Sequence, residues 1–118
     1  MANLVSDLFR GDPRLEKCLL EDKAHVLKGD RGQFVALIQY AVLVLEPGAS
    51  INGQELVQEV YGPDTAKAVL AYKTRRKIIN TSYQKTADAI VGKMTIRSLD
   101  TEMRAFETRE KMVFPRRG

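Results

Sequence analysis

Apolar residues recur along much of the chain at spacings of three and four, which is the spacing of one face of an α-helix. This pattern predicts helices over residues 13–22, 63–77 and 93–111, and the first two begin at a proline, which suits the first helical position. Residues 33–46 are almost uniformly apolar, and because such a run is long for a strand, we expect a central buried helix there. Residues 54–60 are expected to form one or two further helical turns.

The segments between these helices are rich in glycine, proline and other turn-forming residues. Residues 28–32 and 46–53 are predicted turns or loops, residues 80–86 a polar loop, and residues 87–92 a tight apolar turn. Residues 114–118 are predicted to be frayed or disordered. The pattern as a whole predicts an all-α fold. The inward faces of the last two long helices are predicted to contain Ala66, Val69, Leu70, the stem of Lys73, Leu99, Met103 and Phe106.

Three glycines, Gly32, Gly62 and Gly92, lie thirty residues apart, and each is placed where a helix opens. A glycine lets the chain turn sharply, and residues three and seven positions later would face inward. These inward positions are Val35, Thr65, Thr95, Gln39, Val69 and Leu99. Three such units cannot bury their apolar stripes alone, so the period predicts that they pack together as a compact three-helix core.

The composition is that of one ordinary soluble domain, with 118 residues, 44% of them hydrophobic and 29% charged. The single cysteine, Cys18, excludes an internal disulfide framework. Cys18 and the single histidine, His25, are too few for a zinc site, which takes about three or four such ligands, and no cofactor is indicated. Glu55, Glu59 and Asp64 fall where carboxylates cap helices or face solvent, not as an acid–base pair. The residues therefore favour a binding or structural module over an enzyme.

The net charge of +4 is concentrated in two basic clusters, at residues 73–77 and 104–117. Either cluster could contact an anionic polymer such as nucleic acid or an acidic glycan. Cations at the C-terminal end of a helix are also favoured by the helix dipole, and a basic tail is readily solvated. The second interpretation is the stronger one, so nucleic acid is disfavoured as a partner.

The N-terminal residues include Asp7 and lack a basic start, so they do not resemble a signal peptide. The longest apolar run, Ala41 to Leu45, is far shorter than the ~20 residues of a membrane span. The sequence therefore predicts a soluble protein made in the cytoplasm, without a membrane span.

Three motifs follow one another along the chain. Residues 61–73, Y-G-P-D-T-A-K-A-V-L-A-Y-K, closely resemble the Y/F-G-P-x-T-x-x-A-V-x-x-F-Q core of the peptidoglycan-binding-domain-like family. Residues 87–99, A-D-A-I-V-G-K-M-T-I-R-S-L, resemble that family's second signature, D-G-I-V-G-P-x-T-W-x-x-L. Residues 27–39, L-K-G-D-R-G-Q-F-V-A-L-I-Q, resemble its opening L-x-x-G-x-x-G-x-x-V-x-x-L-Q. The matches come in family order and cover roughly residues 25–100.

The resemblance implies a compact three-helix orthogonal bundle of the peptidoglycan-binding-domain type, with an added N-terminal helix and an extended C-terminal helix. Residues 1–24 would form an N-terminal extension with a short helix, residues 25–108 the helical domain, and residues 109–118 a basic C-terminal tail. The implied function is non-catalytic binding of bacterial cell-wall peptidoglycan, through its glycan strand or stem peptide, for anchoring or targeting. Action in the periplasm or cell wall would then require a non-classical export route.

Six polar and aromatic residues within or beside the motifs are candidate ligand contacts. Tyrosines present flat rings with polar tips that suit glycans and amidated peptides, and a lysine and an arginine could meet a stem-peptide carboxylate. The candidates are Gln39, Tyr40, Tyr61, Tyr72, Lys73 and Arg76.

The chain departs from the family pattern at Ala89, Lys93 and Ile96, where the family has glycine, proline and frequently tryptophan. The last departure removes an aromatic surface that could stack on a sugar. An adaptor role on the same fold, with a protein partner such as a hydrolase or a component of a secretion or phage system, is therefore the second hypothesis.

Overall fold

The structure is a computed structural model that describes residues 3–79 and 87–109. Within these two ranges the chain forms five α-helices and no strand, which confirms the all-α prediction. The predicted loop at 80–86 and the predicted frayed end at 114–118 lie outside the described residues. The helices are α1 (Pro13–Leu20), α2 (Gln33–Leu45), α3 (Gly53–Gln58), α4 (Pro63–Arg76) and α5 (Lys93–Arg109), with a short 3-10 helix at Asp22–Ala24.

Local chemistry explains where the helices begin and end. The Asp12 carboxylate accepts a hydrogen bond from the Leu15 amide at 3.0 Å and caps α1. The Asn52 side chain caps α3 in the same way. Helix α4 ends at Arg76 because Lys77 adopts a left-handed backbone conformation, with φ of 57°. The predicted end of α1 was two residues too late, since a separate 3-10 turn begins at Asp22.

Each of the three periodic glycines directly precedes a helix, as the sequence predicts, but only two of the positions require glycine. Gly32 has φ of 136°, a conformation that side chains rarely adopt. A β-carbon on Gly62 would lie 2.6 Å from Cδ of Glu55, closer than packed atoms allow. A β-carbon on Gly92 would meet no atom within 4 Å.

The inward positions of the repeat are confirmed. All six residues at the third and seventh positions after the glycines are buried: Val35, Gln39, Thr65, Val69, Thr95 and Leu99. The three helices therefore present equivalent positions to one shared core, as the thirty-residue period predicts.

The turns that precede these helices are hydrogen-bonded to one another. Val26 and Val91 exchange two backbone hydrogen bonds of 2.8 Å, which joins the turn before α2 to the turn before α5. The Tyr61 amide donates to the Asp30 carbonyl at 2.8 Å, and the Gly29 amide donates to the Tyr61 carbonyl at 2.9 Å. These contacts join the turns before α2 and α4, so the beginnings of all three helices lie close together.

The carboxylate of Glu55, on α3, caps the N-terminus of α4. It accepts hydrogen bonds from the amides of Gly62, Asp64 and Thr65 at 3.1, 2.9 and 2.9 Å, and from the Thr65 hydroxyl at 2.7 Å. Burial opposes ionisation of this carboxyl, but the hydrogen bonds outweigh burial and hold its pKa below the ordinary value. Glu55 thus replaces the side-chain cap that Gly62 cannot provide.

Carboxylates of α5 hold the N-terminal segment against the bundle. Asp100 accepts hydrogen bonds from the amides of Val5 and Ser6 at 2.9 and 2.8 Å. Glu107 accepts from the amides of Asp7 and Leu8 at 2.9 and 3.0 Å. Apolar residues of the same segment and of α1 belong to the same core cluster as those of the longer helices, namely Leu4, Phe9, Leu15, Cys18 and Leu19.

The prediction that Leu70 faces inward was wrong. Leu70 is 38% exposed, because the inward stripe of α4 runs through Thr65, Val69 and Tyr72 and turns Leu70 to the outside. Helix α2, predicted as the central buried helix, packs against α4 and α5 and is mostly buried or half-buried, while Tyr40 on its outer side is 38% exposed. Phe106 is only partly buried, although Leu99 and Met103 on its stripe are fully buried.

Candidate functional site

Four of the six candidate contacts are buried, Gln39, Tyr61, Tyr72 and Lys73, and the first two bind backbone carbonyls of the turns before α4 and α5. The Tyr61 hydroxyl donates a hydrogen bond to the Ala89 carbonyl, and burial raises the pKa of the phenol, which stays protonated. The Gln39 amide nitrogen donates to the Val60 carbonyl at 3.0 Å and to the Thr65 hydroxyl at 2.9 Å, while its buried Oε1 has no hydrogen-bond partner among the described residues. These contacts connect the turns and helices of the bundle.

Tyr72 and Arg76 lie together on the side of α4 that faces α5. The Arg76 guanidinium binds both carboxylate oxygens of Glu102, at 2.6 and 2.8 Å, and also Glu46 at 2.7 Å. It stacks 3.8 Å from the centre of the Tyr72 ring, whose hydroxyl is 2.8 Å from Oγ of Ser98. Burial opposes ionisation of Glu102, but the hydrogen bonds and charge of Arg76 outweigh it, so the pKa of Glu102 lies below its ordinary value.

The basic cluster at 73–77 is therefore not one continuous cationic surface. Lys73 and Arg76 are held in ion pairs within the fold, whereas the side chain of Arg75 is 61% exposed. Tyr40 lies apart from these residues, on the outer side of α2. The six candidates thus do not form a single binding surface.

Lys73 joins α4 to the turn before α5. Its side chain is 7% exposed, and its ammonium lies 2.7 Å from Oδ1 of Asp88 and 2.7 Å from the carbonyl oxygen of Ile90. The same Asp88 oxygen accepts a hydrogen bond from the Ile90 amide at 3.1 Å. A buried lysine is expected to need such a charged partner.

A cavity of about 500 Å³ opens beside this ion pair, at the N-terminal end of α5. Its volume is within the range of small-molecule sites, which are about 300–1,000 Å³. Of the six candidate contacts, only Lys73 lines it. The lining residues are Asp22, His25, Lys73, Ile78, Ile79, Asp88, Ile90, Gly92, Lys93, Met94 and Thr95.

The cavity wall carries both signs of charge beside apolar side chains. Lys73 pairs with Asp88 as described above, and Lys93 lies 3.5 Å from Asp22 in a second, more exposed pair. The first amides of α5 have no acceptor within the helix, and they add a partial positive charge at the same place. The arrangement can hold a small ligand by charge and hydrogen bonding.

Sequence reasoning did not assign Asp88, Lys93 or Met94 to a site, although all three lie in the motif of residues 87–99. That motif was interpreted as a turn and a helix start. The signal that could have found them is the placement of an aspartate and a lysine on either side of the turn, with a cationic Lys73 on the preceding helix.

The other reactive residue types have structural surroundings. Cys18 is fully buried, its thiol donates to the Val91 carbonyl at 3.4 Å, and burial raises its pKa to about 11, which keeps the thiol protonated at neutral pH. His25 lines the cavity. Within residues 3–79 and 87–109, no three His, Cys, Asp or Glu side chains are arranged to hold a metal ion.

Comparison of the chain with protein-family models, with curated proteins and with solved structures finds no match. None of the described helices has the length and apolar character needed to cross a bilayer. Support for the candidate site therefore comes from its geometry and from the motifs that form it.

Proposed function

We propose that this chain is a non-catalytic module that binds bacterial cell-wall peptidoglycan, and that the cavity at the start of α5 is its binding site. The observation that carries the proposal is that the motif resembling the second peptidoglycan-binding signature forms much of the cavity wall. Six lining residues belong to it: Asp88, Ile90, Gly92, Lys93, Met94 and Thr95.

The way the helices begin also supports this function. In the proposed module, three motifs in family order open three helices whose first turns are hydrogen-bonded together. This arrangement brings residues from distant parts of the sequence to one cavity, including Asp22, Lys73 and Lys93. A ligand site assembled from several rigid elements is better fixed in shape than a site on one loop.

A non-catalytic role is favoured by the surroundings of the reactive groups. The Cys18 thiol is buried and protonated, and the oxygens of Glu55 are occupied by amides and a hydroxyl of the fold. These groups serve the packing of the described helices and are poorly placed to act as a nucleophile or a general base.

The test is retention of the purified chain on insoluble peptidoglycan sacculi. We expect the wild-type chain to sediment with sacculi and Lys93→Glu to be retained less, because a carboxylate would replace a cation at the cavity. Lys67→Glu makes the same charge change on an exposed residue of α4 outside the cavity and is expected to be retained like wild type. Retention of the wild type no greater than that of an unrelated protein would contradict the proposal.

A protein-interaction adaptor is the second candidate, and the apolar outer side of α2 favours it. Tyr40 is 38% exposed there, and Leu37, Leu43 and Val44 are only partly buried. For this function, Tyr40→Arg should abolish capture of a defined partner hydrolase or secretion component and leave sacculus retention unchanged. Equal capture by the variant and the wild type would contradict it.

A further inference from the structure

The described residues that line the cavity at the start of α5 include two cations and two carboxylates. Lys73 and Lys93 carry positive charge, and Asp22 and Asp88 carry negative charge. A purely anionic ligand would meet both carboxylates, and a purely cationic one would meet both lysines. Charge complementarity therefore favours a ligand group that carries both signs.

The deeper end of the cavity suits a carboxylate. The Lys73 ammonium has three N–H donors, and it uses two of them for Asp88 and the Ile90 carbonyl, each at 2.7 Å. The third has no acceptor within residues 3–79 and 87–109, and a ligand could accept it beside the first amides of α5 at Met94 and Thr95. Because Lys73 is 7% exposed and fixed by these two bonds, it is already positioned before a ligand binds.

The rim suits an ammonium, and the wall between suits aliphatic carbon. The Asp22 side chain is 91% exposed, and its charge partner in the described part of the chain is Lys93 at 3.5 Å. An exposed pair of this kind contributes little to stability, so a ligand ammonium can bind the Asp22 carboxylate and leave the Lys93 ammonium to the ligand carboxylate. Ile78, Ile90 and Met94 supply apolar surface in the same cavity.

Aromatic side chains are missing from the described part of the cavity wall. Sugar rings are commonly held against flat aromatic faces, and Tyr61 and Tyr72, which could provide them, are buried within the fold. The aliphatic and charged side chains of the described wall favour a peptide as the ligand.

We propose that the cavity recognises the stem peptide, through a residue whose aliphatic side chain ends in a carbon bearing both an ammonium and a carboxylate. A diaminopimelyl residue with a free end has this chemistry. The inference rests on the proposed function, since it names the part of peptidoglycan that the site binds. Lys73 and the first turn of α5 bind the carboxylate, and Asp22 binds the ammonium.

The test is isothermal titration calorimetry of the full chain with three soluble probes. The first is the tripeptide L-alanyl-γ-D-glutamyl-meso-diaminopimelate. The second is the same tripeptide with lysine as its third residue, which keeps the ammonium and lacks the terminal carboxylate. The third is an N-acetylglucosamine tetramer without peptide. We expect the lysine peptide to bind about tenfold more weakly than the diaminopimelyl peptide, the size of one lost charge-assisted contact, and the sugar to give no binding heat.

Two variants locate the effect. Lys73→Met should abolish the discrimination between the two peptides, whereas Lys67→Met should preserve it. Asp22 lies on the exposed rim and is not part of a buried ion pair. Asp22→Asn therefore still tests recognition of the ligand if Lys73→Met fails to fold. Asp22→Asn should weaken binding of the diaminopimelyl peptide several-fold, about as expected for an ion pair formed with the ligand, and the neighbouring Glu21→Gln should not.

Each result distinguishes this inference from the proposed function. Equal affinity for the two peptides, binding of the sugar, or full affinity in Asp22→Asn would overturn the inference. Retention on sacculi together with no binding of the diaminopimelyl peptide would also overturn it, and the peptidoglycan proposal would stand. Binding of that peptide without retention on sacculi would instead contradict the proposed function and leave the recognition chemistry intact.

Discussion

Gly62 and Gly92 occupy equivalent places before α4 and α5, yet their surroundings differ. A β-carbon at Gly62 would lie 2.6 Å from Glu55, and one at Gly92 would meet nothing within 4 Å. We expect Gly62→Ala to lower the free energy of unfolding by at least about 1 kcal/mol more than Gly92→Ala, because only the first change overpacks its site. Urea unfolding of both variants measures the difference, and equal losses would show that Glu55 moves aside freely.

Glu55 makes the stability of the fold depend on pH. Its pKa is lowered in the folded chain, so its contribution to stability is fully present above the ordinary carboxyl value of 4.5 and is lost as the pH falls through the lower folded value. Glu55→Gln is expected to cost about 1–3 kcal/mol at neutral pH, the price of losing charge-assisted hydrogen bonds. The difference in the free energy of unfolding between Glu55→Gln and wild type should become smaller as the pH falls.

The measurement is urea unfolding of wild type and Glu55→Gln at about pH 7 and at about pH 3. Glu21→Gln, on an exposed residue, is the matched control and should differ little from wild type at either pH. A gap between Glu55→Gln and wild type that stays constant with pH would contradict the role of the ionised carboxylate.

For single residues, the sequence predicted which side chains face inward better than it predicted what their polar groups bind. The repeat correctly identified Gln39, Thr65 and Leu99 as inward-facing, because spacing alone determines the face of a helix. Tyr61 and Tyr72 have the chemistry of ligand contacts, but the fold uses their hydroxyls internally. Residue type does not reveal whether a partner for a polar group lies in the same chain, since that partner is usually distant in sequence.

At the scale of the elements, Arg76 connects three helices. Its guanidinium binds Glu102 of α5 and Glu46 at the end of α2, and it stacks on Tyr72 of α4. We expect Arg76→Ala to destabilise the fold by about 2–4 kcal/mol, because it leaves Glu102 without this cation and Glu46 with only the longer contact to Arg75 at 4.0 Å. Arg75→Ala, on a side chain that is 61% exposed, should change stability by less than about 0.5 kcal/mol. Similar denaturation midpoints for the two variants would contradict this role.

We expect two parts of the N-terminal segment to detach from α5 independently of each other. Asp100 binds the amides of Val5 and Ser6, and Glu107 binds those of Asp7 and Leu8. We expect Asp100→Leu to accelerate hydrogen exchange at Val5 and Ser6 while the Leu8 amide stays protected, and Glu107→Leu to do the reverse. Acceleration of all four amides in either variant would show that the segment opens as one unit.

The positions of the helices could be predicted from the sequence, but the hydrogen bonds and ion pairs that connect them could not. Proline, asparagine and glycine fixed the starts of α1, α3 and α4 within a residue, because capping chemistry is local. The contacts of Asp100 and Glu107 join residues about a hundred positions apart, and no local pattern distinguishes them from exposed acids of a helix. The exposure of Tyr40 on the outer side of α2 depends likewise on what packs against that helix.

At the scale of the whole molecule, the hydrogen-bonded turns determine where the cavity lies. Residues before α2, at the end of α4 and at the start of α5 meet at it, including Asp22, Lys73 and Lys93. The motifs indicated a binding module, but the cavity required the three-dimensional arrangement, because its charged residues come from separate helices. Of the candidate contacts predicted from sequence, Lys73 is the member that lines it.

The most direct test of the account is a nitrogen-15 NMR titration of the full chain with solubilised muropeptides. We expect amide shift changes concentrated at the cavity, at Ile78, Ile79 and residues 90–95, with little change at Tyr40 or at Val57, which is exposed on α3. Saturable changes at the cavity that Lys93→Glu weakens and Lys67→Glu does not would confirm the site. The absence of any shift change, or changes confined to the outer side of α2, would contradict the claim that this cavity binds peptidoglycan.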